Sequence, residues 1–189
     1  MHIEALEGRQ LFSGGAARFV ALLSGANEVP AVQSPALGSA KFILSRDGAS
    51  LRYQVKVKRV MNAEGAHVHL GPAGQNGEIV ADLMNSGRMH MGKKSFSAKG
   101  TITAGQLGGS LAGHSLTDLV AQMTAGTAYV NVHTDDGTPP PNTGTGDFPD
   151  GEVRGQISRI VRRPRHTGGQ TGGQTGGTGG GSMGGPYTY

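Results

Sequence analysis

The residues with the clearest chemical capacity are three histidines placed at the ends of two β-patterned runs. His67 and His69 stand two apart within Gly65–Gly77, GAHVHLGPAGQNG. Residues i and i+2 of a strand face the same side, so both imidazoles project together. A third, His133, closes the alternating run Tyr129-Val-Asn-Val-His133. Three neutral imidazoles from two strands suit copper or zinc and leave a fourth position for water, with no cysteine needed. The predicted metal ligands are therefore His67, His69 and His133, with His90 or His114 as the histidine that would complete a set of four. The competing reading has the same rings hydrogen-bonded to backbone, ordering the glycine loop.

Other reactive patterns are weaker. Glu28, Asp82, Asp135, Asp136, Asp147, Asp150 and Glu152 offer oxygen ligands for calcium, but their spacing matches no EF-hand. Ser, His and Asp all occur without a G-x-S-x-G or comparable nucleophile setting, so no hydrolase is read. Gly71, Gly74 and Gly77 precede a strand, whereas a phosphate cradle needs a helix N-terminus. No enzyme class is assigned on these grounds.

The elements that must position the histidines are short strands. Arg18–Ser24 (RFVALLS), Ala40–Ser45 (AKFILS), Glu78–Leu83 (EIVADL), Ser95–Thr103 (SFSAKGTIT) and Thr127–His133 are apolar or alternating runs between glycines and turn residues. In Leu51–Val57, apolar Leu51, Tyr53, Val55 and Val57 alternate with Arg52, Gln54 and Lys56, so one face is core and the other is water. Gly100 is expected to mark a bulge in its strand. Asn85–Lys94 reads as a polar loop. One helix is predicted: Ser115 caps it, Leu116, Leu119, Val120 and Met123 form its apolar stripe, and Gly126 ends it. The closing strand is Glu152–Ile157, extending toward Val161, with Glu152 and Arg154 on one face and a cross-strand ion pair expected there. Many strands and one helix predict an all-β, Greek-key antiparallel β-sandwich.

Composition frames this reading. A lead-in over residues 1–16 precedes a domain at 17–161, and residues 162–189 form a basic junction and a Gly/Thr/Gln-rich tail, TGGQTGGQTGGTGGGSMGGPYTY, expected to be disordered. On that tail Gln170, Gln174, Tyr187 and Tyr189 are candidate cross-linking sites, with a plain spacer as the alternative. The absence of cysteine excludes disulfides, thiol chemistry and Cys-ligated zinc or iron–sulfur groups. Net charge is +4, and Arg154, Arg159, Arg162, Arg163 and Arg165 draw the eye as an anion-attracting run. No aromatics interleave with them, so nucleic acid is an unlikely partner. The N-terminus has no apolar core of a signal peptide, and no stretch approaches the length of a membrane span.

Several motifs in order resemble the CHRD domain, the module named from chordin: LLSGANEVP at 22–30, AKFILSRDGASL at 40–51, AHVHLGPAGQNG at 66–77, GTITAGQL at 100–107, Leu116–Gly126 with YVNVHT at 129–134, and GEVRGQI at 151–157. The resemblance spans about residues 18–159. In chordin such domains belong to an extracellular antagonist of bone morphogenetic proteins, but this chain lacks chordin's cysteine-rich repeats. A second resemblance is to copper/zinc superoxide dismutase, through His67-Val68-His69 and Val132-His133 followed by Asp135-Asp136-Gly137. It implies that His67, His69 and His133 match three of that family's four copper ligands. The chain lacks that family's zinc-ligand cluster and both of its disulfide cysteines, and it offers Arg154 as the nearest analogue of the guiding arginine.

Together these readings predict a non-enzymatic surface, coat or matrix module that binds protein or a surface polymer and can self-assemble. The alternative is a copper- or zinc-binding redox or metal-handling protein. The expected setting is extracellular, cell surface or spore coat, with the cytoplasm as the alternative.

Overall fold

A computed structural model describes residues 16–161 except Ser86. Ten strands run in chain order: β1 (Arg18–Ser24), β2 (Leu37–Leu44), β3 (Leu51–Lys58), β4 (Ala63–Leu70), β5 (Ile79–Asp82), β6 (Gly87–Gly92), β7 (Ser95–Ile102), β8 (Ala128–Thr134), β9 (Phe148–Gln156) and β10 (Ser158–Arg159), with helix α1 (Leu116–Ala125) before β8. All pairings are antiparallel, in the order β5-β4-β8-β9-β1-β2-β3-β7-β6, with β10 added to β1. The curled sheet makes a sandwich of two halves, β5-β4-β8-β9 and β1-β2-β3-β7-β6, joined where Ser24 of β1 pairs with Arg154 of β9. The links β3→β4 and β7→β8 cross from one half to the other, and the strands they connect pair as β3·β7 and β4·β8.

Alternation decides which residues fill the space between the halves. On β3, Leu51, Tyr53, Val55 and Val57 are buried and the residues between them are exposed. They meet Phe42 and Ala40 of β2, Phe96 and Ala98 of β7, and from the other half Ala66, Val68, Val130, Val132 and Val153 in one core. Helix α1 closes one end with Leu116, Leu119, Val120 and Met123. Its start is fixed by the reciprocal Ser115–Asp118 capping box, and its end by Gly126 at φ 74°, a left-handed conformation that glycine adopts without strain.

Two expectations are corrected. The segment read as a loop over Asn85–Lys94 contains β6, paired with β7 from Gly87–Gly100 to Gly92–Ser95. Its side chains are exposed on both faces, so backbone pairing holds it and no apolar alternation announces it. Gly100 makes no bulge; it sits in continuous register between Tyr53 and Gly87. The bulges fall on β4 and β8, next to the histidines. The Gly-rich tail, its glutamines and tyrosines, and Arg162, Arg163 and Arg165 lie outside the described residues. Among the described residues, no helix is long and apolar enough to cross a membrane.

Candidate metal centre

The strand period that buries Ala66, Val68, Val130 and Val132 sends their neighbours to the opposite face of the β5-β4-β8-β9 half. There the register places His67 beside Asn131, His69 beside Tyr129, and Gly65 beside His133. The histidine rings meet on this face, with centroids 5.1 Å apart for His67–His133 and 5.8 Å for the other two pairs. One ligand-capable nitrogen from each ring lies within 4.8 Å of the other two.

Hydrogen bonding fixes two of the tautomers. His69 Nδ1 lies 2.9 Å from the Gly77 carbonyl, and His133 Nδ1 lies 2.8 Å from the Pro149 carbonyl. A carbonyl only accepts, so each Nδ1 carries the proton and each Nε2 keeps its lone pair. Those two Nε2 atoms, and Nδ1 of His67, are buried without a partner. A backbone carbonyl orienting a ring from behind while its other nitrogen points into the site is how metal-bound histidines are held. Burial pushes His69 down to about 4; the Gly77 bond opposes this, and the charges of His133, His67 and Arg154 add to it. His67 is likewise lowered by burial and by His133, against Asp82. Both rings are thus neutral near pH 7 and can ligate without first losing a proton.

The half-sheet's outer face would be solvent-exposed in a bare sandwich; here loops cover it. Arg154 is 1% exposed, with its guanidinium 3.5 Å from the centre of the Tyr129 ring. It donates to Asn76 Oδ1 and to the carbonyls of Pro72 and Gln75, clamping the 71–77 loop above the site. Tyr129 also stacks on His69 and accepts a hydrogen bond from the Gly77 amide. A Cβ on Gly77 would overlap the Leu70 carbonyl, so this close turn requires glycine. Glu152, fully buried, accepts from Ser34 Oγ, Thr134 Oγ1 and the Gly146 amide.

Among the described residues the expected cross-strand ion pair does not form at Glu152 or Arg154: they share a face, as the alternation predicts, but each is consumed by hydrogen bonds to a different set of loops. Arg154 is also unavailable as an anion-guiding group, while Arg159 is exposed on β10. Neither proposed fourth histidine joins the trio. His90 is on β6 at the far edge of the sheet, and His114 lies 3.5 Å from Asp118 at the start of α1. Of the calcium candidates, the Asp135, Asp136 and Asp147 carboxylates gather within 4.8 Å.

Sequence reasoning missed Glu28 as a member of this face. It is 7% exposed although it lies in a Pro-containing loop, and its Oε2 is 3.5 Å from Asn131 Nδ2. Burial drives its carboxyl up from 4.5 to about 8, against the Arg154 charge and the Asn131 bond. Glu28 Oε1 and Asn131 Oδ1 are both buried acceptors without a donor. A proton on Glu28 supplies a donor within this group.

The pH dependence follows from the signs. A carboxyl raised in the fold binds more protons folded than unfolded between pH 4.5 and 8, so its contribution falls as pH rises through that window. The depressed histidines act oppositely, with stability gained as pH rises from about 4 to 6.5. Above pH 6.5 the Glu28 effect stands alone. Metal-free protein should lose on the order of 1–3 kcal/mol between pH 6.5 and 9, and Glu28→Gln should flatten that limb, read by urea unfolding at each pH. A wild-type limb as flat as the mutant's would mean that Glu28 is ionised at neutral pH.

These features define an all-antiparallel β-sandwich with a loop-covered tri-histidine face. The CHRD domain model matches residues 19–140, more than half of the chain, and the chain belongs to the CHRD-domain family. No curated protein matches it.

Proposed function

We propose that this CHRD module is a copper- or zinc-binding protein whose ligands are His67, His69 and His133. One observation carries the reading: three histidines from two strands bring one ring nitrogen each within 4.8 Å of one another, and each ring keeps one buried nitrogen without a hydrogen-bond partner. Unsatisfied buried polar atoms are uncommon in folded proteins, and three on neighbouring imidazoles are groups that a bound cation would satisfy together. The neutral tautomers, the carbonyls behind two of the rings and the lack of a fourth histidine beside them among the described residues favour a three-nitrogen centre with one position open to water or a small ligand. The surface or coat setting is part of the same proposal, supported by membership of a family named from an extracellular protein.

Loading with copper or zinc, then desalting and elemental analysis, should return close to one metal per chain. His67→Ala/His69→Ala should bring retention to background, a loss of roughly 100-fold or more in affinity. Circular dichroism of the double variant separates loss of ligands from loss of fold. A wild-type chain that retains no metal while folded would leave the three histidines as structural groups and end the metal reading.

A further inference from the structure

The five strands β1, β2, β3, β7 and β6 contain no aspartate or glutamate. Their outward positions carry Arg18, Lys41, Arg52, Lys56, Lys58, Lys99 and Arg88, all exposed. Register turns this list into a surface. Lys41 pairs with Gln54, Gln54 with Lys99, and Lys99 with Arg88, forming one row across four strands. A neighbouring row runs Ser39, Lys56, Ser97, His90, and another runs Leu37, Lys58, Ser95. Strands lie ~4.8 Å apart and same-face residues ~6.8 Å apart along a strand, so cationic groups tile a sheet face at least ~14 Å wide. At one end Arg59 bonds through its amide to the Lys94 carbonyl, bringing Arg59, Lys93 and Lys94 beside Lys58. Among the described residues the one ion pair is His114–Asp118, so none of these cations is neutralised by a neighbour. The acidic strand residues Glu64, Asp82, Asp150 and Glu152 all belong to the other half. The charge is thus polarised far beyond the net +4.

We propose that this outward face of the β1-β2-β3-β7-β6 half binds a linear anionic polysaccharide. Charge complementarity sets the sign of the partner, and the rest of the surface selects its class. Serine, threonine and glutamine side chains (Ser39, Gln54, Ser97 and Thr101) stand among the cations and match sugar hydroxyls. No Phe, Tyr or Trp lies on the face to form a stacking platform for single-stranded nucleic acid; His90 is its one ring, at the edge strand. A five-stranded sheet face is too broad to enter a duplex groove as a helix or a two-stranded ribbon does. Exposed Leu22 and Leu37 lie at the β1/β2 side of the face, apart from the main cationic row. The proposal is independent of the metal centre, which occupies the other half of the sandwich.

The test uses the full chain and dextran sulfate, with neutral dextran, duplex DNA and phosphatidylserine-containing vesicles as the comparison probes. Dextran sulfate should bind, neutral dextran should not, and affinity should fall at least ~10-fold between 50 and 200 mM salt. Lys41→Gln/Arg52→Gln/Lys56→Gln/Lys99→Gln should weaken binding by roughly 30-fold or more, while Lys41→Arg/Lys56→Arg/Lys99→Arg stays within about threefold, because a diffuse polyanion site reads charge. Both variants are checked for wild-type circular dichroism and melting. Undiminished binding by the folded glutamine variant would place the contact elsewhere, in the arginines after β9, and overturn the proposal. Tighter binding to DNA or vesicles than to dextran sulfate would overturn the polysaccharide as the partner class.

Discussion

Arg154→Met is expected to lower stability by about 3–5 kcal/mol and to weaken metal retention while all three histidines remain in place. The side chain is 1% exposed, and its guanidinium satisfies Asn76 Oδ1, the Pro72 carbonyl and the Gln75 carbonyl at 2.7–3.1 Å. Methionine fills similar volume but leaves those acceptors without donors and removes the cation lying on the Tyr129 ring. The 71–77 loop then loses its clamp, and that loop presents the Gly77 carbonyl to His69. Two electrostatic consequences make the test specific. Arg154 lowers His69 and holds down Glu28, so both groups should titrate at higher pH in the variant, as followed by NMR. Arg154→Lys keeps the charge without the planar fork and should fall between the two proteins. Equal losses for lysine and methionine would show that fork geometry matters and charge does not. Unchanged His69 and Glu28 titrations would remove Arg154 from the electrostatics of the site.

The parts of this molecule that were legible in its sequence are those governed by a local period. Leu51–Lys58 announces a half-buried strand because its burial alternates residue by residue. Ser115 and Gly126 bracket the helix because capping is local chemistry, to which the structure adds Asp118 as the reciprocal partner of Ser115. His67 and His69 share a face by the same rule, and His133 joins them because β8 pairs with β4. What stayed hidden depends on contacts between distant segments. Glu28 reads as loop charge because nothing local says that its loop folds onto β8. Arg154 and Glu152 read as partners for charges across the strand, since alternation puts them on one face but cannot say which loops cover it. β6 escaped notice because an edge strand exposed on both faces has backbone pairing and no hydrophobic signature. The cationic face is present in the sequence only as scattered lysines and arginines; cross-strand register makes it a surface, whereas the eye goes to the closely spaced arginines near the tail.

Glu152→Ala should be among the most damaging single changes, costing on the order of 4 kcal/mol and lowering the melting temperature by roughly 10 °C. Its carboxylate is fully buried and ties three segments together. Ser34 holds the loop after β1, Thr134 the end of β8, and the Gly146 amide the loop that leads into β9. Thr134 Oγ1 accepts in turn from the Phe148 amide, so the loss propagates along a chain of bonds toward Pro149, whose carbonyl fixes His133. Removing the carboxylate strands three donors in a dry place, which is why the effect should exceed that of deleting one partner at a time. Ser34→Ala and Thr134→Val each break one of these links and should cost about 1–2 kcal/mol. Glu152→Gln keeps the volume and can aim its amide nitrogen at Ser34 Oγ, which can accept, but it loses the charge on the oxygen that takes Thr134 Oγ1 and the Gly146 amide, so it should lie between. Chemical unfolding orders the four variants, and metal titration of those still folded reports whether His133 is held. An alanine variant no worse than Ser34→Ala would mean that the other two bonds contribute little and that water replaces the carboxylate. A variant that is destabilised yet keeps full metal affinity would show that His133 is positioned by β8 itself, with the Pro149 carbonyl a follower.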